Sequence, residues 1–122
     1  MKRLLFVICI LFSLSALSID LDPKVSLLFK NQIMSFEKND YKSFIMNGTT
    51  EFQKMKKEKF EEAIKSYEKH FKSGHEETYL AYLKQDGLLV YLWKLSFKDG
   101  SDDTLAKLVL NKEGKIAGFW FQ

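Results

Sequence analysis

The chain has 122 residues, 46% of them hydrophobic and 15% aromatic, with one proline, one cysteine and a formal net charge of +3. That length suits one ordinary domain and is too short for two. The composition excludes a disordered, collagen-like or low-complexity protein.

Residues 1–18 read as a secretory signal peptide. Lys2 and Arg3 supply the positive start, and residues 4–14 form an apolar run of eleven broken only by Ser13. Ser15-Ala16-Leu17-Ser18 puts small residues at the −3 and −1 positions of a cleavage after Ser18. The run is about half of the ~20 residues a membrane helix needs, so no membrane span is expected in the mature chain. Cleavage leaves 104 residues, 19–122, as a single domain. Arg3 and Cys9 leave with the peptide. The remaining 17 basic residues are all lysines against 16 acidic ones, a net charge of about +1. The mature chain then has no disulfide, no thiolate nucleophile and no cysteine metal site. A secreted or periplasmic protein held by a hydrophobic core is expected.

Helical periodicity runs over residues 22–74. Asp22 is a natural N-cap and Pro23 fits the first helical position, where a missing N–H costs nothing. Val25, Leu28, Phe29, Ile33 and Phe36 follow at helical spacing, and Asn39-Asp40 closes the segment. A short second helix is predicted from Asp40 to Asn47-Gly48, then a connecting turn with Phe52 and Met55. A third helix carries Phe60, Ala63, Ile64, Tyr67 and Phe71 on one stripe and Lys59, Glu62, Lys65 and Lys69 opposite. Gly74 ends it.

Residues 76–122 have strand periodicity. Strands are predicted at 78–84, 88–97, 104–110 and 115–121, joined by turns at Asp86-Gly87, Asp99-Gly100 and 111–114. The fold class is therefore α+β, with N-terminal helices packed on a four-stranded antiparallel meander. The Asp86-Gly87 hairpin predicts that Gln85 pairs with Leu88, Tyr82 with Tyr91, and Leu80 with Trp93. Opposed residues share a face. One face then carries Leu80, Tyr82, Leu89, Tyr91, Trp93, Leu95 and Phe97, and should meet the helices. The other carries Tyr79, Ala81, Leu83, Leu88, Val90 and Leu92. A sheet apolar on both faces usually has both covered, and a homodimer through this second face is one way to cover it. Tyr79, Ala81, Leu83, Val90 and Leu92 are its interface candidates. The last strand has two registers open. A four-residue turn points Ala117, Phe119 and Phe121 inward, and a three-residue loop points Ile116, Gly118 and Trp120 inward.

Three segments carry a family resemblance: Phe36-Glu37-Lys38-Asn39-Asp40-Tyr41 between the first two helices, Met55-Lys56-Lys57-Glu58-Lys59-Phe60 at the start of the third, and residues 111–119 (NKEGKIAGF) in the closing hairpin. With the order of helices then meander, the chain resembles the nuclear transport factor 2-like (cystatin-like) superfamily, and within it a family of small secreted bacterial domains of unknown function. Asn39 stands where that family tends to have glycine. The resemblance implies a cone-shaped α+β fold and a secreted location. It implies no activity, because the superfamily hosts enzymes, binding proteins and assembly modules. Relatives are often fused to a hydrolase-like or lactamase-like domain, so a helper role here would act in trans.

The chemistry-bearing residues are few. His70, His75, Glu76 and Glu77 fit no standard zinc spacing and read as solvated surface, with no metal and no cofactor expected. Lys54, Lys56, Lys57 and Lys59 interleave with glutamates and lack arginine, which argues against nucleic acid. Asn47-Gly48-Thr49 matches a glycosylation sequon but reads as a helix-ending turn. Tyr82, Tyr91, Trp93, Phe119 and Trp120 are the candidate lining of a pocket between sheet and helices. No Asp or His alternates onto that face in the expected register. The expectation is a binding module, non-enzymatic, for a small apolar ligand or a protein partner. The alternatives are an isomerase- or cyclase-like enzyme using a cavity tyrosine, and a purely structural homodimer.

Overall fold

The computed structural model describes residues 21–122, and the expected signal peptide at 1–18 lies outside the described residues. Helix α1 (Pro23–Glu37) starts where Asp22 and Pro23 predict it, with the Asp22 carboxylate accepting the Lys24 N–H at 2.9 Å. The cap satisfies one of the free donors at the helix end, and proline at the first position has none to satisfy. After the helix Asn39 takes a φ of 56°. This is the left-handed region that glycine favours and asparagine tolerates. Helix α2 (Tyr41–Met46) follows, its N-cap Asp40 accepting the Ser43 N–H at 3.1 Å. The expected connecting turn contains a single helical turn, α3 (Thr50–Gln53), because the Thr49 hydroxyl accepts the Phe52 N–H at 3.1 Å. Helix α4 (Lys57–Ser73) buries Phe60, Ile64 and Phe71, and ends at Gly74.

Strands β1 (His75–Gln85), β2 (Leu88–Phe97), β3 (Thr104–Leu110) and β4 (Ile116–Phe121) form one antiparallel sheet in the order β1-β2-β3-β4. The molecule is thus α+β, helices on a four-stranded meander. The Phe29 ring of α1 lies flat on Trp93 of β2, centroids 3.8 Å apart and planes 6° from parallel. Phe36, Phe44, Phe60, Phe71 and Phe119 complete a buried aromatic core. The start of β4 is held on its open side, since the Ile116 N–H donates to the Asn47 carbonyl (2.9 Å) and the Thr49 N–H donates to the Ile116 carbonyl (2.9 Å). No described helix is long and apolar enough to cross a membrane.

Two β-bulges decide which side chains face the core. Asp86 and Gly87 both take positive φ, 51° and 78°, as a tight two-residue hairpin requires. Gln85 therefore pairs with Leu88 and Tyr82 with Tyr91. The register then shifts between Tyr79 and Ala81, and Trp93 pairs with Tyr79 instead of the expected Leu80. Leu80 is the extra residue, and it is exposed. An inserted residue inverts the alternation of everything before it. Tyr79, Glu77 and His75 consequently share the inner face with Trp93, Leu95 and Phe97. This corrects both the outward placement of Tyr79 and the expectation that no histidine reaches the inner face. Strand β1 also begins at His75, three residues earlier than predicted from periodicity.

The second bulge, between Val109 and Leu110, combines the two registers open for β4: Leu110 pairs with Ile116, but Leu108 pairs with Phe119 and Ala106 with Phe121. Ile116, Phe119 and Phe121 all face inward, Ala117 is exposed, and Trp120 lies on the outer face. There the Trp120 indole folds back over Gly118, where any Cβ would collide with the ring. Removing the ring that α1 rests on should be costly. Trp93→Ala is expected to lose about 3–5 kcal/mol of stability in urea unfolding. A loss below about 1 kcal/mol would show that the Phe29–Trp93 contact does not anchor the helix.

Candidate functional site

The five aromatic pocket candidates fall in three places in the structure: Trp93 under Phe29, Tyr82 with Tyr91, and Phe119 with Trp120. Trp93 is covered by Phe29, and Phe119 is buried among Phe29, Phe44 and Phe121 at centroid distances of 6.0, 5.7 and 5.4 Å. Both fill the core. Trp120 points to the opposite face because β4 alternates after its bulge. Tyr91 and Tyr82 remain together, stacked at 5.6 Å, with Tyr91 nearly buried and Tyr82 51% exposed. Of the interface candidates, Ala81, Leu83, Val90 and Leu92 share the outer face. Tyr79 instead meets Trp93 edge-on at 5.3 Å.

Beside Tyr91 the layers part. The N-terminal half of α1 stands over the ends of β2 and β3 and the β3–β4 turn, leaving an open groove of about 620 Å³. Its apolar walls come from Val25 and Leu28 of α1 and from Leu89, Tyr91 and Leu110 of the sheet. Asp22, Asn31, Asn47 and Asn111 supply polar groups around them. The volume is within the roughly 300–1,000 Å³ typical of small-molecule sites. Strand alternation could reveal Leu89 and Tyr91. It could not reveal Asp22, which arrives from the helix cap. Burial raises the Tyr91 phenol above its ordinary pKa, and the Asp22 carboxylate and Tyr82 add to the rise. Burial likewise raises Tyr79. A neutral phenol can donate a hydrogen bond to a ligand's polar end.

The two histidines lie away from this groove, each on a carboxylate. His75 Nε2 is 2.8 Å from Glu77 Oε2, and the imidazole side chain is 12% exposed. The bulge in β1 puts the pair on the inner face, against Phe71 and Phe97. The expectation of solvated surface is thus corrected for His75. His70 Nδ1 is 2.8 Å from Asp99 Oδ2, while the Ser101 hydroxyl donates to Asp99 Oδ1 at 2.6 Å. The serine is bonded to the carboxylate and not to the imidazole, so the trio lacks the nucleophile–base contact that a serine hydrolase needs. It ties the end of α4 to the β2–β3 turn. Among the described residues no three His, Cys, Asp or Glu side chains gather as a metal site.

No family model and no curated protein matches the chain.

The Asp99 contacts give a pH dependence. Hydrogen bonds from the Ser101 hydroxyl and N–H, then from His70, lower its pKa from the ordinary 3.8 to about 2. A depressed carboxyl pKa adds stability above its unfolded value, and that contribution disappears as pH falls through 3.8 towards about 2. In a carboxyl NMR titration Asp99 should be half-protonated near pH 2, and Ser101→Ala should move that midpoint up towards the ordinary value. An unmoved midpoint would remove Ser101 as the main cause.

Proposed function

We propose that the protein is an exported, non-enzymatic binding module whose ligand site is the groove between α1 and the sheet, and that the ligand is small and apolar with a polar end. The scaffold is read as nuclear transport factor 2-like, on the three motif segments and the order of helices then meander. Export is read from residues 1–18. The observation that carries the binding proposal is the division of the aromatic inner face. Trp93 is covered by Phe29, whereas Leu89, Tyr91 and Leu110 line a groove of about 620 Å³ with polar groups at its margin, larger than the cleft of about 220 Å³ that Phe119 lines. An apolar ligand there would exchange water-exposed wall for van der Waals contact. Asn31, Asn111 or the Tyr91 hydroxyl would orient its polar end.

The enzyme alternative would use Tyr91 as proton donor with Asp22 as its acid–base partner. The Asp22 carboxylate already accepts a helix N–H at 2.9 Å, which favours binding over proton transfer. A homodimer through the sheet face is the alternative to pairing at a sheet edge, and would use the outer face, where Val90 and Val109 are already buried within one chain. There Leu83 pairs with Val90, Val90 with Val109 and Val109 with Gly118, an apolar row crossing all four strands. Leu83 and Trp120 at its margins are 46% and 48% exposed.

A fluorescence titration with anilinonaphthalene sulfonate, an apolar ring system with one anionic end, tests the groove. Saturable binding is expected. Leu28→Asp, which puts a carboxylate against the apolar wall and repels the sulfonate, should weaken it about tenfold or more. Leu83→Lys on the outer face should leave it unchanged, with circular dichroism confirming that both variants fold. Non-saturable binding, or an equal loss in Leu83→Lys, would sink the proposal.

A further inference from the structure

Strand β1 is the outermost strand of the sheet and pairs only with β2. No other described element bonds to its backbone. Along its 11 residues, alternate N–H and C=O groups therefore face outward without a partner among the described residues. The strand is exposed over most of its length, including Leu80, Tyr82 and Leu83 at 41%, 51% and 46%. Its charges are polarised: Glu76 and Glu77 stand near its start and Lys84 near its end.

An antiparallel pair of identical strands sets the start of one against the end of the other, as a two-fold axis requires. The bulge at Leu80 then restricts the register. Glu77, Tyr79, Tyr82 and Lys84 point inward, whereas Glu76, Thr78, Leu83 and Gln85 point outward, and directly opposed residues must share a face. One register sets Lys84 against the second copy's Glu77, whose Oε2 already holds His75 Nε2 of its own chain at 2.8 Å, and Tyr82 against its Tyr79. The neighbouring register sets Lys84 against His75 and Leu83 against Glu76, which matches neither charge nor apolarity.

We propose that β1 is a dimerisation edge, pairing antiparallel with β1 of a second copy of this chain in the Lys84–Glu77 register, so that the two sheets become one continuous eight-stranded sheet. Residues 76–79 of each copy bond to residues 82–85 of the other, and the two bulges meet at the axis. The main-chain bonds supply the association, and the two symmetric ion pairs select the register. The groove beside Tyr91 is not needed for this pairing, and the proposal does not depend on its ligand.

Light scattering across a concentration series, on protein purified as its host cell processes it, should give twice the mass that mass spectrometry gives for one chain. Lys84→Glu sets like charges opposite each other at both ends and should raise the dimer dissociation constant about tenfold or more. Adding Glu77→Lys should restore most of that loss. Hydrogen exchange gives a second readout that does not rely on variants: the outward amides of residues 76–85 should gain protection as concentration rises. A monomer at every concentration would overturn the proposal and show that the bulge and Lys84 guard the edge instead. A dimer unaffected by Lys84→Glu but dissociated by Trp120→Lys would overturn it in favour of the sheet face. Edge amides protected equally at all concentrations would overturn it too, since the edge would then be covered within one chain.

Discussion

The contact on which the arrangement turns is the Phe29 ring lying flat on Trp93, centroids 3.8 Å apart. It fixes one point of α1 against the central part of β2. On the C-terminal side of that point, Phe36 meets Phe60, Phe71 and Phe121 at centroid distances of 6.1, 5.4 and 5.1 Å. Helices α2 and α4 deliver their rings to this half, and offset and edge-on contacts let them pack closely. On the N-terminal side α1 offers Val25 and Leu28 to Leu89, Tyr91 and Leu110. These are smaller side chains, and no ring from another described helix is placed among them. One helix, pinned at its middle, has smaller clefts of about 140 and 220 Å³ beside Phe36 at one end and the groove of about 620 Å³ at the other.

The bulges redistribute chemistry across the sheet. Without the insertion at Leu80, His75 and Glu77 would project to the outer face and Tyr79 would leave Trp93. With it, an imidazole–carboxylate pair is packed against Phe71 and Phe97, and a phenol closes the side of Trp93. The same insertion turns Lys84 and Glu77 to one face, which makes the charge pattern of the edge strand self-complementary. In β4 the bulge lets Ile116, Phe119 and Phe121 all serve the core, which strict alternation would forbid. The outer face is left with Gly118 beneath the Trp120 ring.

Much of this architecture is legible in the sequence, because local signals and hydrophobic pattern agree there. The Asp22-Pro23 start, the Asp40 cap, the stripe of α4 and the Asp86-Gly87 hairpin are each set by a few neighbouring residues. The α+β meander follows from them. The register beyond a bulge is another matter. The residues around Leu80 alternate as plausibly in a continuous strand as in a bulged one, and what separates the two is how Tyr79 and Leu80 each fit against Trp93. That is a tertiary preference with no local signature. The site shows the same division. Tyr91 is visible from alternation, whereas Asp22 and Asn31 join it only because α1 crosses the sheet at Phe29. Trp93 and Phe119 are aromatic for packing, and composition cannot distinguish a ring that fills a core from one that lines a groove.

The groove is therefore best understood beside the core it adjoins. Protein interiors pack to near-crystalline density, and the Phe29–Phe36 half of α1 meets rings from several elements. Val25, Leu28 and Leu110 line the other half. Val25 is 5% exposed and Leu110 4%, so each presents only a small area to the groove. The groove is bounded in part by buried side chains, and Asp22 and Pro23 cap α1 at that same margin. A preformed apolar recess with polar groups at its margin needs little reorganisation to accept a ligand. In this fold the groove lies on the Val25 side of the Phe29–Trp93 contact, and the larger cluster of rings lies on the Phe36 side.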